Sequence, residues 1–319
     1  MKKILCVLMS CLLFVMAGCS GHSKNLKFGA ADIGGVYYSF ASTFTQLADK
    51  EIDGYTFETK TTAGSVANLR LISDGYIDLA IVQADLLSDA YNATGTFADK
   101  KYQKGYKAVA SLYTECCQIV VRKDSGITGI DDLINKTVSV GASESGSEKN
   151  AEQILKMSGI TDELINKVNM DYTEAAEKLK AGEIDAFFCT AGTRTEVIGQ
   201  LSKECDICLI SLDDKCIDKM LSAYSLCEKY TIPAGTYNGQ DSDVTTIGVK
   251  SVLIAKQSLS DDVIKNVTKT IYEHADDFKY ATSLDISFDI NTVADGVDIP
   301  FHSGAAAYYT ERGINVLTE

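Results

Sequence analysis

Histidine, proline and tryptophan are scarce: the 319 residues include three histidines, two prolines and no tryptophan. The histidines (His22, His274 and His302) are isolated from one another, so we expect neither a zinc site nor a Ser-His-Asp triad. The prolines, Pro233 and Pro300, do not mark a flexible linker. The patterns GxSxG, GxxxxGK[ST] and GxGxxG are also missing, which argues against a hydrolase and a nucleotide site. We therefore expect no enzyme activity, no metal and no cofactor.

Positive charge is scarce as well. Lysine and arginine number 30 against 44 aspartates and glutamates, and the formal net charge is −14. This balance excludes nucleic acid as a partner, because phosphates require basic patches, and it argues against electrostatic binding to anionic lipid. With 45% hydrophobic and 23% charged residues, the chain is typical of globular domains and is long enough for two of ordinary size.

Ten cysteines are present, three of them within the first 19 residues. An odd number remains, which leaves at least one thiol unpaired. Cys205 and Cys208 are spaced as CxxC, but the run CDICLIS reads as a strand, on which residues three apart lie about 10 Å from each other on opposite faces. A bridge between Cys216 and Cys227 stays open as an alternative. We interpret the others as small buried hydrophobes. The seven cysteines after residue 19 are Cys116, Cys117, Cys189, Cys205, Cys208, Cys216 and Cys227.

The longest apolar run lies at the N-terminus. Two lysines precede residues 4–16, which are almost wholly apolar, and an Ala-Gly pair stands directly before Cys19. This run is short for a permanent membrane span and predicts a signal peptide over residues 1–18. The pattern resembles a bacterial lipoprotein signal, which implies lipidation of Cys19 and a tether over residues 19–26. An ordinary cleaved signal is the alternative. With either signal we expect an extracytoplasmic protein. If Cys19 is lipidated, the protein is anchored to a bacterial membrane, in the periplasm or on the outer face of the cell membrane.

Strands and helices alternate along the rest of the chain, which predicts βαβ crossovers, a mostly parallel sheet and an α/β fold. Residues 243–256 form a long extended run of alternating apolar residues, typical of a chain that passes between two domains. We expect one lobe from residues 27–115 and 248–319, and an inserted lobe from residues 116–247. Two crossings make a hinge, and hinged lobes can close on a ligand.

Three segments rich in glycine and hydroxyl side chains stand at strand-to-helix turns. Such turns aim backbone N–H groups and the positive end of a helix dipole at the carboxyl edge of the sheet, where open α/β folds bind ligands. Helix capping explains any one of them alone, but three divided between two lobes favour a site for a carboxylate or another small anion. The segments are residues 34–38, 61–65 and 141–147.

The ordered motifs GAADIGGVYYSF, TAGSVANLRLISDGYIDLAIVQADLLSDAY, LYTE, DSGITGIDDLINKTVSVGASESGSEKNAEQIL, AGEIDAFF, IPAGTY and IPFHSGAAAYYTERG resemble the TAXI-type substrate-binding proteins of TRAP transporters. The resemblance implies a type II periplasmic-binding-protein fold, with a ligand cleft between two α/β lobes. It also implies capture of a small carboxylate, glutamate-like or dicarboxylic, by lobe closure and delivery to a membrane permease, without chemistry on the solute. We expect a monomer. A sensor coupled to a membrane receptor kinase uses the same fold and is the alternative.

The family pattern carries over to individual residues. Glu144 stands where a small residue or proline is usual, and we expect its carboxylate to point to solvent. Arg194 ends a buried strand and either grips a carboxylate or is a solvated helix residue. Tyr113 and Tyr237 lie near the two crossings, as ligand contacts or hinge-core residues. The residues expected to bind the ligand are Gly35, Tyr37, Tyr38, Gly64, Ser65, Asn68, Gln83, Tyr113, Ser145, Gly146, Ser147, Arg194 and Tyr237.

Overall fold

The computed structural model describes residues 23–99, 104–283 and 288–319. The predicted signal peptide and Cys19 lie outside the described residues. The first strand begins at Lys24, so the last three residues of the predicted tether belong to the sheet. None of the described helices has the length and apolar character needed to cross a membrane.

The described residues form ten strands and ten α-helices in alternation. The strands are β1 (Lys24–Gly29), β2 (Tyr55–Lys60), β3 (Leu79–Gln83), β4 (Tyr106–Arg122), β5 (Thr137–Ser139), β6 (Asn166–Val168), β7 (Ala186–Ala191), β8 (Ile207–Leu209), β9 (Cys227–Ile232) and β10 (Val244–Lys256). The helices are α1 (Val36–Glu51), α2 (Ser65–Ser73), α3 (Ala84–Asn92), α4 (Gly146–Met157), α5 (Tyr172–Ala181), α6 (Glu196–Glu204), α7 (Asp214–Ala223), α8 (Asp261–Glu273), α9 (Ala275–Thr282) and α10 (Ser303–Thr310).

All ten strands belong to one mixed sheet in the order β2-β1-β3-β10-β4-β7-β5-β6, with β8 beside β4 and β9 beside β10. Strands β1, β2 and β3 are parallel, as are β5, β6 and β7, whereas β4 and β10 run antiparallel to their neighbours. The alternation of strands and helices therefore predicted the α/β class correctly. The expectation of a mostly parallel sheet was wrong, because β4 and β10 run through its centre antiparallel to every strand that they pair with.

Strands β4 and β10 run side by side through the middle of the sheet and change their outer neighbours part-way. One end of β10 pairs with β3 and the other with β9, and the far end of β4 pairs with β7 and β8. The change occurs near Cys116, which is paired with Gly248. Strands β1–β3 with α1–α3 and α8–α10 are called the first half below, and β5–β9 with α4–α7 the second half. That these halves move as separate lobes stays a prediction.

The core of the first half is built on aromatic side chains of α1. Phe40 and Phe44 lie on one helical face and are fully buried, because their spacing of four residues returns to the same side of the helix. Both meet the ring of Phe28 from β1 edge-on, and Phe40 stacks on Phe278 of α9 with 4.4 Å between ring centroids. A separate cluster from β4, β5, β7, α4 and α7 fills the second half. The larger cluster also takes in side chains of α5, α6 and β7, so the apolar core continues from the first half into the second.

All seven cysteines of the described chain are free thiols, including Cys216 and Cys227. Five are buried, and only Cys205 and Cys208 are partly accessible. The prediction that these two share one strand was wrong. Cys205 ends α6, and β8 begins at Ile207, because the helix continues to the end of the polar segment before the apolar run.

Candidate functional site

A cavity lies at the junction of the two halves, at the carboxyl ends of β1, β3 and β7. Its walls come from the turns before α1 and α2 in the first half and before α4 in the second. Its volume is about 30 Å³, room for one or two water molecules. The first half and the second half touch each other around it. A solute larger than that requires more space between the halves than this arrangement leaves.

Three helices, α1, α2 and α4, begin at this cavity. Gly35 and Gly64 precede α1 and α2, and neither helix has a side-chain cap. Gly64 adopts φ 119°, a backbone conformation that a side chain would strain. At α4 the Ser145 Oγ accepts a hydrogen bond from the Glu148 N–H at 2.9 Å. The convergence of helix N-termini gives this wall backbone donors and positive dipole ends, the arrangement that binds anions.

Hydroxyl groups order the second-half wall. The Ser147 Oγ accepts the Thr190 N–H at 2.8 Å and lies 2.6 Å from the Tyr172 hydroxyl. That hydroxyl donates in turn to the Thr190 carbonyl at 3.0 Å. This closed set of bonds fixes the turn before α4 against β7, so the wall is rigid rather than adaptable.

A carboxyl group from the central strand β4 faces the cavity. Glu115 is 3% exposed and accepts a hydrogen bond from the Tyr37 hydroxyl at 3.0 Å. Burial raises the pKa of Glu115 to about 8, although hydrogen bonds from Gln83 and Tyr37 act in the opposite direction. At neutral pH, Glu115 is therefore mostly a neutral carboxylic acid.

A second carboxyl group, that of Asp32, lies in the turn between β1 and α1. Burial raises the pKa of Asp32 to about 6, the charge of Asp171 raises it further, and a hydrogen bond from the Tyr172 backbone N–H lowers it. No described residue of the lining is basic. The cavity thus combines three helix N-termini with two acidic side chains.

Two buried oxygens at this cavity lack a hydrogen-bond partner among the described residues, Gln83 Oε1 and Thr190 Oγ1. The amide nitrogen of Gln83 is engaged, because its Nε2 donates to Asn150 Oδ1 on α4 at 3.0 Å. The Gln83 side chain therefore joins the two halves and presents its oxygen as an acceptor.

The model of the NMT1-like family matches residues 28–313. The chain belongs to the NMT1-like family. Among solved structures, this family member is similar to a putative L-cystine ABC transporter from Listeria monocytogenes, with 14% identity, a TM-score of 0.52, and coverage of 82% of this chain and 94% of that one. It is also similar to MatC from Rhodopseudomonas palustris with bound malate, with 13% identity, a TM-score of 0.55, and coverage of 81% and 87%.

An ancestral arginine-binding protein bound to arginine shows the same likeness, with 15% identity, a TM-score of 0.50, and coverage of 81% of this chain and 98% of that one. At these identities the likeness establishes the fold alone, which is the type II periplasmic-binding-protein fold. The resemblance therefore predicted the fold correctly. Two of these neighbours hold small solutes, arginine in the ancestral protein and malate in MatC.

The structure brings eight of the thirteen expected ligand residues to the cavity of this NMT1-like chain. They come from all three glycine and hydroxyl turns and from the end of β3, as the position of parallel-strand ends requires. Their contact with a ligand stays a prediction. The eight are Gly35, Tyr37, Gly64, Ser65, Gln83, Ser145, Gly146 and Ser147.

The remaining five expected residues lie outside the cavity lining. Tyr38 is half-buried on α1. Asn68 is fully buried and donates to the carbonyl groups of Gly29, Ala30 and Ile81, so its role is structural. Tyr113 packs in the core.

The fourth, Tyr237, is buried beside β4, one of the two central strands. Its hydroxyl donates to Gln118 Oε1 at 2.6 Å and accepts the Thr195 N–H at 3.1 Å. Both hydrogen-bonding roles of this hydroxyl are therefore used within the protein. Tyr237 holds the turn before α6 against β4 and is not part of the cavity lining.

The fifth is Arg194. It lines a groove on the outer surface between α1, α6 and α9, not the cavity, because its left-handed backbone (φ 64°) turns the chain outward after β7. Glu144 does not simply point to solvent. Its carboxylate pairs with the Arg70 guanidinium of the first half, with 3.1 Å from Nε to Oε1 and 2.6 Å from Nη2 to Oε2. Glu144 is therefore a contact between the halves.

Sequence reasoning did not name Asp32, Glu115, Tyr172 or Thr190, all of which line the cavity. Asp32 and Glu115 stand inside the motifs GAADIGG and LYTE, so the motifs marked the segments but not the side chains. The signal for Glu115 is a single acidic residue within an otherwise buried run of β4. Groups of three or more histidine, cysteine, aspartate or glutamate residues that could hold a metal ion are not found in the described part of the chain.

Proposed function

We propose that this chain is a lipid-anchored, extracytoplasmic solute-binding protein that captures a small carboxylate between its halves and delivers it to a TRAP-type permease. The observation that carries the proposal is the cavity at the junction, where the N-termini of α1, α2 and α4 converge from both halves. A ligand carboxylate placed there meets backbone N–H groups of both halves at once. Contacts with both halves favour the arrangement in which they meet, and this difference in affinity drives closure.

The anion-binding wall supports a carboxylate as the recognised group. Each helix N-terminus contributes about 0.3 to 1 kcal/mol to an adjacent anion at an exposed site, and up to about 2 kcal/mol where it is partly buried. The Ser145 hydroxyl caps α4 through its oxygen and keeps its own proton to donate. Hydrogen bonds to a charged acceptor contribute more than those between neutral groups. A small carboxylate therefore obtains charge neutralisation here without a lysine or arginine.

Contacts between the halves support closure around the solute. Besides the Arg70–Glu144 ion pair, the Ala67 N–H donates to the Glu144 carbonyl at 3.1 Å, and Gln83 donates to Asn150. All of them join α2 or β3 to the turn before α4 or to α4 itself. They rim the cavity on one side, whereas β4 and β10 connect the halves on the other. Opening therefore breaks the rim and leaves the two central strands as the hinge.

Delivery to a permease and anchoring through Cys19 rest on the sequence: the lipoprotein-like signal and the TAXI-like motifs in their order. A lipid on Cys19 keeps the binding protein within reach of a membrane partner, whose second contact then occurs at a raised effective concentration. Lipidation is tested by mass spectrometry of the membrane-extracted protein, in which Cys19→Ala must abolish the added acyl mass.

A thermal-shift screen over carboxylates and amino acids, followed by calorimetry, tests capture, because a ligand that binds only the folded state raises the melting temperature. Ser145→Ala is expected to weaken binding of the best acid by about tenfold. Asp213→Ala is the matched control, because Asp213 caps α7 in the same manner but away from the cavity. Both variants lose a helix cap, yet only Ser145→Ala should lose affinity. Equal affinities for the two, or no acid that binds, would refute the proposal.

A further inference from the structure

One side of the cavity collects hydrogen-bond acceptors. Glu115 contributes its carboxyl group, and Gln83 Oε1 and Thr190 Oγ1 are buried oxygens without a partner in the described part of the chain. Buried polar atoms are nearly always hydrogen-bonded in folded proteins. The neutral Glu115 carboxyl holds only one O–H donor and its ionised form none, so these oxygens are satisfied best by a ligand that brings donors. These oxygens border the helix N-termini, because Gln83 abuts Gly146 at the start of α4 and the Tyr37 hydroxyl of α1 donates to Glu115. The N-termini supply donors and require an acceptor. Donors and acceptors so close together suit a solute whose positive and negative groups are neighbours.

A protonated amine matches the acceptor side. An alkylammonium group carries three N–H donors, a positive charge and no acceptor, which fits a carboxylate together with two neutral oxygens. Building on the proposed function, we infer that Glu115, Gln83 and Thr190 form a subsite for a protonated amine of the solute, and that one proton leaves Glu115 when this amine enters. The captured solute is then an amino acid held at its carboxylate by the helix ends.

The proton balance follows from the surroundings of Glu115. The tyrosines and cysteines around Glu115 are uncharged. Burial, helped by the negative charge of Asp85, raises the pKa of Glu115 to about 8. About nine tenths of the chains therefore carry the proton on Glu115 at pH 7. An adjacent ammonium group favours the carboxylate, so the carboxyl proton passes to solvent and the amine keeps all of its own. The titratable groups that face Glu115 are Tyr37 of α1, Asp85 of α3, Tyr113 and Cys116 of β4, Tyr172 of α5 and Cys189 of β7.

Asp32 is the competing position for an amine, and the proton count separates the two. The pKa of Asp32 is about 6 and its carboxylate already accepts the Tyr172 N–H. Asp32 is mostly ionised at pH 7, so an amine bound there would release only about 0.1 proton. Binding at Glu115 releases about 0.9 proton at pH 7 and about 0.5 at pH 8.

Isothermal titration calorimetry of the full mature chain measures this release when each titration is repeated in phosphate and Tris, whose ionisation enthalpies differ. The probes are pairs that share a carbon skeleton: L-glutamate with 2-hydroxyglutarate, L-alanine with lactate and L-leucine with 2-hydroxyisocaproate. We expect the amino acid of a binding pair to bind about tenfold or more tightly than its hydroxy acid, since only the amine pairs with the buried charge. Binding of the amino acid should release about 0.9 proton at pH 7 and about 0.5 at pH 8, whereas binding of the hydroxy acid should release none.

Glu115→Gln keeps the size of the side chain and removes its charge. It should weaken amino-acid binding by about thirtyfold or more, because a buried charge pair loses one partner. Its proton release should fall to near zero while hydroxy-acid affinity changes little. The matched control Glu163→Gln changes an exposed residue far from the cavity lining and should behave as the parent. Asp32→Asn should keep the proton count of the parent.

The outcomes separate this inference from the function on which it rests. Acids that bind without proton release, or a hydroxy acid that binds as tightly as its amino acid, would overturn the amine subsite and leave carboxylate capture standing. Loss of proton release in Asp32→Asn but not in Glu115→Gln would overturn the assignment to Glu115. If none of the six acids binds but another acid of the thermal-shift screen does, the amine subsite falls and carboxylate capture stands. The parent's proton count decides the matter even if Glu115→Gln does not fold.

Discussion

Gly146 lies where the two halves come closest, and replacing it by alanine should impair closure without harming the fold. Gly146 is the first residue of α4, and a Cβ built on it would lie 2.5 Å from Gln83 Cδ and 2.7 Å from Gln83 Nε2. Ordinary contacts between carbon atoms are about 3.5 to 4.0 Å, so the methyl group overlaps the Gln83 amide by about 1 Å. Gln83 is buried and bonded to Asn150, so it cannot yield freely.

The size of the effect follows from this overlap. Overpacking of a buried contact costs about 1 to 3 kcal/mol, and here the cost arises only when the halves meet. The closing equilibrium, and with it solute affinity, should therefore fall by about five- to 150-fold. The open chain contains no such overlap. Its free energy of unfolding should stay within about 1 kcal/mol of the parent, because alanine is a better helix former than glycine.

Calorimetry with the best acid from the thermal-shift screen measures the affinity, and small-angle scattering measures compaction on saturation. Gly199→Ala is the matched control: Gly199 lies within α6, and nothing stands within 4 Å of the Cβ position. Adding Gln83→Ala to Gly146→Ala removes the overlapping amide and should restore compaction, although not the full affinity. Unchanged affinity and compaction in Gly146→Ala would refute the close approach of the halves as described.

Three further outcomes are expected. The pKa of Glu115 rises from 4.5 to about 8 on folding, so between these pH values the folded chain binds a proton that the unfolded chain lacks. The free energy of unfolding therefore falls as pH rises from 5 to 8. Urea titrations at pH 5 and pH 8 should show a smaller fall for Glu115→Gln than for the parent, and an equal fall would contradict a buried acid at this position. Asn68→Ala should lower the free energy of unfolding by about 2 to 4 kcal/mol, because three buried carbonyl groups lose a donor, and denaturation of parent and variant measures it. Arg194→Ala should leave calorimetric affinity for the acid within about twofold, since its side chain lines the outer groove and cannot form the charge-assisted bonds of a direct contact; a tenfold loss would place Arg194 at the solute.

Much of the fold follows from local pattern. The apolar runs of β3 and β7 are buried on both faces and were recognisable as internal strands, and the glycine turns identified the starts of α1, α2 and α4. His302 stands directly before the last helix and caps it, since its Nδ1 accepts the Gly304 N–H at 3.2 Å. These features depend on neighbours in sequence, which a single chain reveals.

What depends on distant partners was not predictable in the same way. In the sequence, residues 107–113 and 117–122 read as two separate strands, but both belong to β4, because pairing with β10 continues through the segment between them. The run VNMDYT reads as a strand over residues 168–173, but β6 ends at Val168, and α5 begins at Tyr172 because Asp171 caps it. The partner of Glu144 lies 74 residues away, and no local pattern indicates it. The acceptor side of the cavity escaped prediction for the same reason.

The pairing of Cys116 with Gly248 has a consequence for how such chains diversify. The polypeptide leaves the first half and returns to it through two directly paired positions, separated by one strand spacing of about 5 Å. A segment whose two ends lie that close can be exchanged for another without disturbing the register of the remaining strands. Exchange of residues 117–247 between relatives would join the acidic side chains carried by β4 and the first turn to a new set of hydroxyl groups. Chimeric genes cut at these two positions are therefore a direct route to binding proteins with altered solute preference.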